Sequence, residues 1–238
     1  MAITSTISGE GKTFIAVNLG ASLSLMGKRV LIMDFDMRKP RVHQSFDVEN
    51  IRGLSDVLIN RMSLDECLNK FEYQPEKTSG TLCIDYLTSG PIPPNPSELI
   101  SSDRTKELFL ELKTKYDFVI CDTPPIGIVS DALELMKGAD YPIYVLRADY
   151  SSKSFINNVN YFIEEDKIQN LSVVLNDVGK GASGYGYGYG YGYGYGYGYG
   201  YGYGYGYGYG YGYGYYEEDK EIEEPLWKRL FSGKKTKE

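Results

Sequence analysis

Ser8-Gly9-Glu10-Gly11-Lys12-Thr13 places two glycines, a lysine and a hydroxyl within six residues. That set suits a polyphosphate. The glycines let backbone N–H groups close around phosphate oxygens, the lysine reaches the terminal phosphates and the threonine hydroxyl binds Mg²⁺. A helix opening at Lys12 adds its positive dipole end. Thr6 stands where the strict form of such a loop has its first glycine, so the reading depends on a strand before the loop and a helix after it. A second stretch, "VLIMDFDMRKPR" from Val30 to Arg41, delivers Asp34 and Asp36 to the end of an apolar strand. Residues two apart in an extended segment point the same way, so both carboxylates can address one metal-phosphate site. Arg38, Lys39 and Arg41 follow and can neutralise phosphate charge. The third, "YDFVICDTPP" from Tyr116 to Pro125, is a buried strand ending in Asp122, where an acid holds Mg²⁺ in phosphoryl-transfer enzymes.

The elements that must position these groups follow from the apolar pattern. Short apolar runs alternate with helix-period segments, which predicts an α/β fold: a three-layer parallel sheet covered by helices. Strands are expected at Met1–Ser5, Arg29–Asp34, Leu82–Leu87, Phe118–Asp122, Ile143–Ala148 and Leu171–Asn176. Helices are expected at Lys12–Met26, Leu54–Arg61, Leu64–Phe71, Arg104–Tyr116, Asp131–Lys137 and Lys153–Glu165, with caps at Ser63 and Asp103 and stops at Gly27 and Gly138. The proline-dense "SGPIPPNPSELI", Ser89 to Ile100, reads as a rigid loop leading into a short helix after Pro96. Residues 1–180 form the folded domain, 181–216 a Gly/Tyr tail and 217–238 a charged segment. A domain of that size buries about 70% of its unfolded surface.

Composition narrows the functional classes. A net charge of −7 argues against a nucleic-acid partner. Cys67, Cys83 and Cys121 are scattered and lack metal-ligand spacing, so they read as buried thiols in a reducing cytoplasm. The single histidine, His43, reads as a loop residue. No run of eighteen apolar residues is present, and Met1 runs into the first strand with no charged region or cleavage site ahead of it. A cytoplasmic chain is expected.

Beyond Asn176 the pattern gives way to tyrosines alternating with glycine from Tyr185 to Tyr215, closed by Tyr216. Alternate glycines disfavour a helix, so disorder is expected; a period of two also permits self-stacking into β-structure. Glu217–Glu224 holds six acids and one lysine, whereas Lys228–Lys237 holds five basic residues and no acid. "PLWKRLF" lies at the switch, with Leu226, Trp227, Leu230 and Phe231 near one helical face: a membrane-surface or partner-docking signal set against a solvated tail end.

The phosphate loop "SGEGKT", the second motif "LIMDFDMRKP", the third "VICDTPP", the intermediate "LTSGPIPPNPSELI" and the Tyr-rich C-terminus together resemble the bacterial tyrosine kinases of capsular and exopolysaccharide export systems. The resemblance covers Ile3 to about Val178 plus the tail. It implies a P-loop NTPase sheet related to the partitioning and septum-positioning ATPases, using ATP and Mg²⁺. Carried over, Ser8, Gly9, Glu10, Gly11, Lys12, Thr13 and Phe14 contact nucleotide, with Arg38 and Asn176, the latter at the adenine position. Thr13, Asp36 and Asp122 serve the metal, and Lys12, Asp34 and Asp36 the chemistry, with Asp34 as base for the incoming tyrosine. Tyr205, Tyr207, Tyr209, Tyr211, Tyr213, Tyr215 and Tyr216 are the implied phosphoacceptors.

The partitioning ATPases carry an extra lysine where this chain has Ile7, which favours the kinase branch. The implied partners are further copies of the chain in a ring, a membrane activator of polysaccharide export and a cognate tyrosine phosphatase. The family's ring is built through a helix ahead of the first strand, which is not seen before Met1. The competing reading is an ATP-driven dimerisation switch that transmits shape without tyrosine transfer.

Overall fold

The structure is a computed structural model, describing residues 1–74, 81–127, 129 and 131–179. The Gly/Tyr tail, its seven expected phosphoacceptors and the "PLWKRLF" segment lie outside the described residues.

The chain order is β1 (Ala2–Ser5), α1 (Lys12–Leu25), β2 (Val30–Asp34), α2 (Val42–Phe46), α3 (Leu54–Leu58), α4 (Leu64–Cys67), β3 (Asn69–Tyr73) and β4 (Leu82–Leu87). There follow α5 (Pro96–Ile100), α6 (Asp103–Lys115), β5 (Phe118–Asp122), α7 (Asp131–Gly138), β6 (Pro142–Arg147), α8 (Ile156–Glu164) and β7 (Ser172–Asn176). The seven strands line up as β3-β4-β2-β5-β1-β6-β7, parallel except for β3. β1 is therefore central, with β5 on one side and β6 on the other. Chain direction across the sheet diverges at β1, and ligands bind beyond the carboxyl ends of strands at such a switch point.

Strand β2 shows how the layers form. Val30 and Ile32 join the face that holds Ile3, Val145 and Ala16 of α1, while Leu31 and Met33 join Leu108 of α6 and Met136 of α7 on the other. Both faces are covered, so the strand reads as an unbroken apolar run. Phe46 of α2 stacks on Tyr86 of β4 at 4.0 Å between centroids, and Phe35 stacks on Phe109 of α6 at 5.7 Å.

The expected strands are present to within a residue at each end. The expected helix over Leu64–Phe71 is not: it stops at Cys67, and Asn69–Tyr73 is an antiparallel edge strand, with Phe71 opposite Ile84. The Ser63 cap is real, since its hydroxyl accepts from Glu66 N–H. It masked a period-two run in which Asn69, Phe71 and Tyr73 turn inward and Lys70 and Glu72 outward. Helix α6 is capped by Ser102 rather than Asp103. Helix α2 has no counterpart among the expected helices, and it carries His43, which is therefore not a loop residue. Cys67 and Cys121 are buried, but Cys83 is half-buried. Among the described residues no helix is long and apolar enough to cross a membrane.

Candidate nucleotide and phosphoryl-transfer site

The loop between β1 and α1 is shaped by two glycines in the left-handed region, Gly9 at φ 87° and Gly11 at φ 96°. Its carbonyls are taken up from outside. Tyr150 Oη donates to Ser8 O and Arg147 Nη1 to Gly9 O, both at 3.0 Å, and Asn176 Nδ2 donates to Glu10 O at 3.0 Å. The fully buried Glu10 carboxylate accepts from Ile7 N–H at 2.9 Å and from the Ser151 hydroxyl. The backbone N–H groups of Gly9 and Gly11 find no acceptor among the described residues. Donors without partners beside the start of α1 make an anion cradle. A Cβ on Gly11 would lie 2.0 Å from Asn176 Nδ2, in a backbone conformation side chains rarely adopt. Gly11→Ala is therefore expected to weaken nucleotide binding at least about tenfold, a cost of about 1.4 kcal/mol, with little change in secondary structure; equilibrium dialysis checks it.

Three carboxylates gather beyond this loop. Asp34 and Asp122 are side-by-side partners on adjacent strands, and adjacent strands lie about 4.8 Å apart. Asp34 is fully buried: Oδ1 accepts from Asp36 N–H at 3.1 Å, and Oδ2 from Arg41 and Val42 N–H at 2.9 and 3.0 Å. It holds the turn after β2, and burial, with the charge of Asp122, pushes its pKa well above the usual carboxylate range. Asp36, also buried, accepts from Lys39 N–H at 3.0 Å; burial raises its pKa against the pull of that bond and of Lys12. Asp122 Oδ2 accepts from the Thr13 hydroxyl at 2.5 Å. Burial pushes its carboxyl up to about 6, opposed by Lys12 and the Thr13 bond. Lys12 is itself buried, which lowers its pKa, while Asp122, Asp36 and Glu10 hold it up.

The residues present fit a nucleotide with Mg²⁺. Asp122 Oδ1 is buried and has no hydrogen-bond partner, next to a hydroxyl that already faces the same carboxylate. Among the described residues no three His, Cys, Asp or Glu side chains form a protein-only metal cage. Mg²⁺ commonly takes only one or two carboxylates together with substrate phosphates and water.

Lys12, Asp34, Asp36 and Asp122 are thus brought together in one buried charged group, with the half-buried Thr13 bonded to Asp122. Ser8 and Gly9 are exposed on the loop, and Phe14 is 37% exposed on the first turn of α1. Asn176 meets the loop backbone from the end of β7. Arg38 Nη2 lies 3.0 Å from Ser97 Oγ and 3.5 Å from the buried carboxylate of Asp131. Sequence reasoning missed Arg147, Tyr150, Ser151 and Asp131. Arg147 ends β6 and Tyr150 and Ser151 follow it, where a strand end near a phosphate loop was the only signal. Arg147 also pairs with Asp177 at 2.9 Å and lies over the Tyr150 ring at 5.2 Å, which fixes both side chains against the loop.

The chain is similar in sequence and in fold to proteins already known. A family model described as an AAA domain matches residues 1–173. The tyrosine-protein kinase YwqD of Bacillus subtilis is 40% identical over 174 residues, 73% of this chain and 70% of that protein. The kinase domain of the Escherichia coli tyrosine kinase ETK superposes with a TM-score of 0.65 at 31% identity, covering 80% of this chain and 72% of that one. The septum site-determining protein MinD of Pyrococcus horikoshii, complexed with Mg-ADP, gives 0.52 at 25% identity, covering 72% and 66%. A phosphate loop, two aspartate-bearing strand ends and this extent of identity place the chain in one family: it belongs to the bacterial tyrosine-protein kinases, on the P-loop sheet they share with the MinD-like ATPases.

Proposed function

We propose that this chain transfers the γ-phosphoryl group of ATP, in the presence of Mg²⁺, to tyrosines of its own or a neighbouring copy's Gly/Tyr block, and thereby regulates capsular or exopolysaccharide synthesis and export. The observation that carries the proposal is the meeting of buried Lys12, Asp36 and Asp122 with the half-buried Thr13 hydroxyl beside the open N–H cradle. The superposition on a MinD complexed with Mg-ADP supports the cofactor pair. The seventeen tyrosines between Tyr185 and Tyr216 support the acceptor.

In this reading the cradle N–H groups and Lys12 orient the phosphates, and Thr13 and Asp122 hold Mg²⁺ with Asp36 near it. When bound, the metal supplies positive charge that stabilises the transferring phosphoryl group. Asp34 accepts the proton of the tyrosine hydroxyl as the new O–P bond forms and the bond to the ADP oxygen breaks. A carboxylate has about four lone-pair sites, and three backbone N–H groups engage Asp34. One site remains, on a carboxylate whose burial makes it a stronger base. A Gly-rich coil of the tail's length spans roughly 30–35 Å, enough to reach a neighbouring copy. Each phosphate adds about −1.5 to −2 charges, so full modification adds on the order of −30 and drives copies apart.

Phosphotyrosine mapping after incubation with Mg-ATP, with and without a cytoplasmic activator segment, tests the proposal. Phosphate is expected on the tail, including Tyr205–Tyr216, and absent in Asp34→Ala. ATP hydrolysis with no tyrosine modification, or modification confined to the seven tyrosines of residues 1–180, would replace it with the dimerisation-switch reading.

A further inference from the structure

A second concave feature lies at the opposite edge of the sheet from the phosphate loop. It is a groove of about 730 Å³ between α6 and α7, beside the amino ends of β1 and β5. Phe109, Leu110, Val119, Leu135 and Tyr141 give it an apolar lining. Leu110 is 68% exposed and Tyr141 55%, although both are large and apolar enough to favour cover. On the rim, Lys106 is paired with Asp103 and Asp117 with Arg29. Glu134 and Asp140 stand against Lys113 and the Met1 ammonium, which donates to Val119 O, so the rim carries charges of both signs in balance.

We propose that the groove is the docking site for the chain's own C-terminal segment, Pro225–Phe231. Leu226, Trp227, Leu230 and Phe231 recur at spacings of one and four, so a helix gathers them on one face, with Lys228 and Arg229 beside it. An aromatic side chain buries about 150–250 Å² of surface, so Trp227 and Phe231 gain from an apolar groove. Lys228 and Arg229 can meet the Glu134 and Asp140 carboxylates on the rim.

The tether is long enough. Forty-eight residues, 177–224, separate β7 from the segment, and a Gly-rich coil of that length spans roughly 35–40 Å. The distance from the end of β7 to the start of β1 is two strand spacings across and one strand length along, about 20 Å. Docking would hold the tyrosine block as a loop fastened at both ends, limiting its reach toward other copies.

Trp227 is the only tryptophan in the chain, so its fluorescence reports this contact alone. In the full-length chain without nucleotide, its emission is expected to lie to the blue of a peptide of residues 224–238. Acrylamide is expected to quench it several-fold less. Leu110→Asp and, separately, Tyr141→Asp are expected to return both readings to those of the peptide. Both positions are more than half exposed, so an unchanged circular dichroism spectrum will show that folding is intact. Peptide-like emission in the unmodified chain would overturn the proposal. So would protection that both groove variants retain, protection that appears only on adding anionic vesicles, or protection that grows with protein concentration, which would assign the groove to a second copy's segment. None of these outcomes bears on phosphoryl transfer, so the two readings fail independently.

Discussion

Replacing Lys12 with methionine is expected to lower tyrosine phosphorylation by about 10³-fold, or about 4 kcal/mol of transition-state stabilisation. Methionine keeps much of the apolar stem's packing and removes only the ammonium group. That group is buried, and its charge is maintained by Asp122, Asp36 and Glu10 against the pull of burial. A cation held this way is already desolvated and oriented before any phosphate arrives, so charge developing on a transferring phosphoryl group meets it without reorganisation. Phosphotyrosine immunodetection on equal amounts of folded protein, with ATP affinity measured alongside, checks the expectation. A loss below tenfold with unchanged affinity would remove Lys12 from the chemistry.

The second large effect has opposite signs for activity and for stability. Asp122→Asn is expected to reduce phosphorylation by at least about 10²-fold, because charge stabilisation by a bound metal is worth several kcal/mol and the carboxylate proposed to hold it is lost. The same substitution is expected to stabilise the protein free of nucleotide and metal. Burial raises the Asp122 carboxyl to about 6, above its ordinary unfolded value of about 3.9. Between those values the folded state binds more proton than the unfolded state, so stability falls as pH rises through the window and stays low above it. A neutral amide removes that loss, roughly 2–3 kcal/mol at pH 7, and its oxygen still accepts from the Thr13 hydroxyl. Calorimetry in chelator should show a higher Tm at pH 7 and a flatter dependence between about pH 4 and 6. A lower Tm at pH 7 would mean that the countercharge to Lys12 outweighs the burial cost.

Much of the site is legible in the amino-acid sequence because it is written in local order. "SGEGKT" joins a strand to a helix, and Asp34, Asp36 and Asp122 stand at or just past the ends of apolar runs that only a covered sheet accommodates. The donors that clamp the loop are not legible there. Arg147 and Tyr150 reach it across 138 and 142 residues of sequence, and no periodicity links positions so far apart. The edge strand Asn69–Tyr73 is hidden for a different reason, since a sound helix cap at Ser63 precedes it and only pairing with β4 selects the extended form.

Residue types and spacing alone determined that this chain makes a parallel sheet, that a phosphate loop opens its first helix, and that three carboxylates arrive at strand ends. Short-range sterics, apolar period and backbone freedom suffice for these. Only the tertiary structure decided the strand order that sets β1 between β5 and β6 and puts Asp34 level with Asp122. Order and register arise from packing both faces of the sheet at once. That packing removes water from Lys12 and the carboxylates together, and so sets their proton affinities.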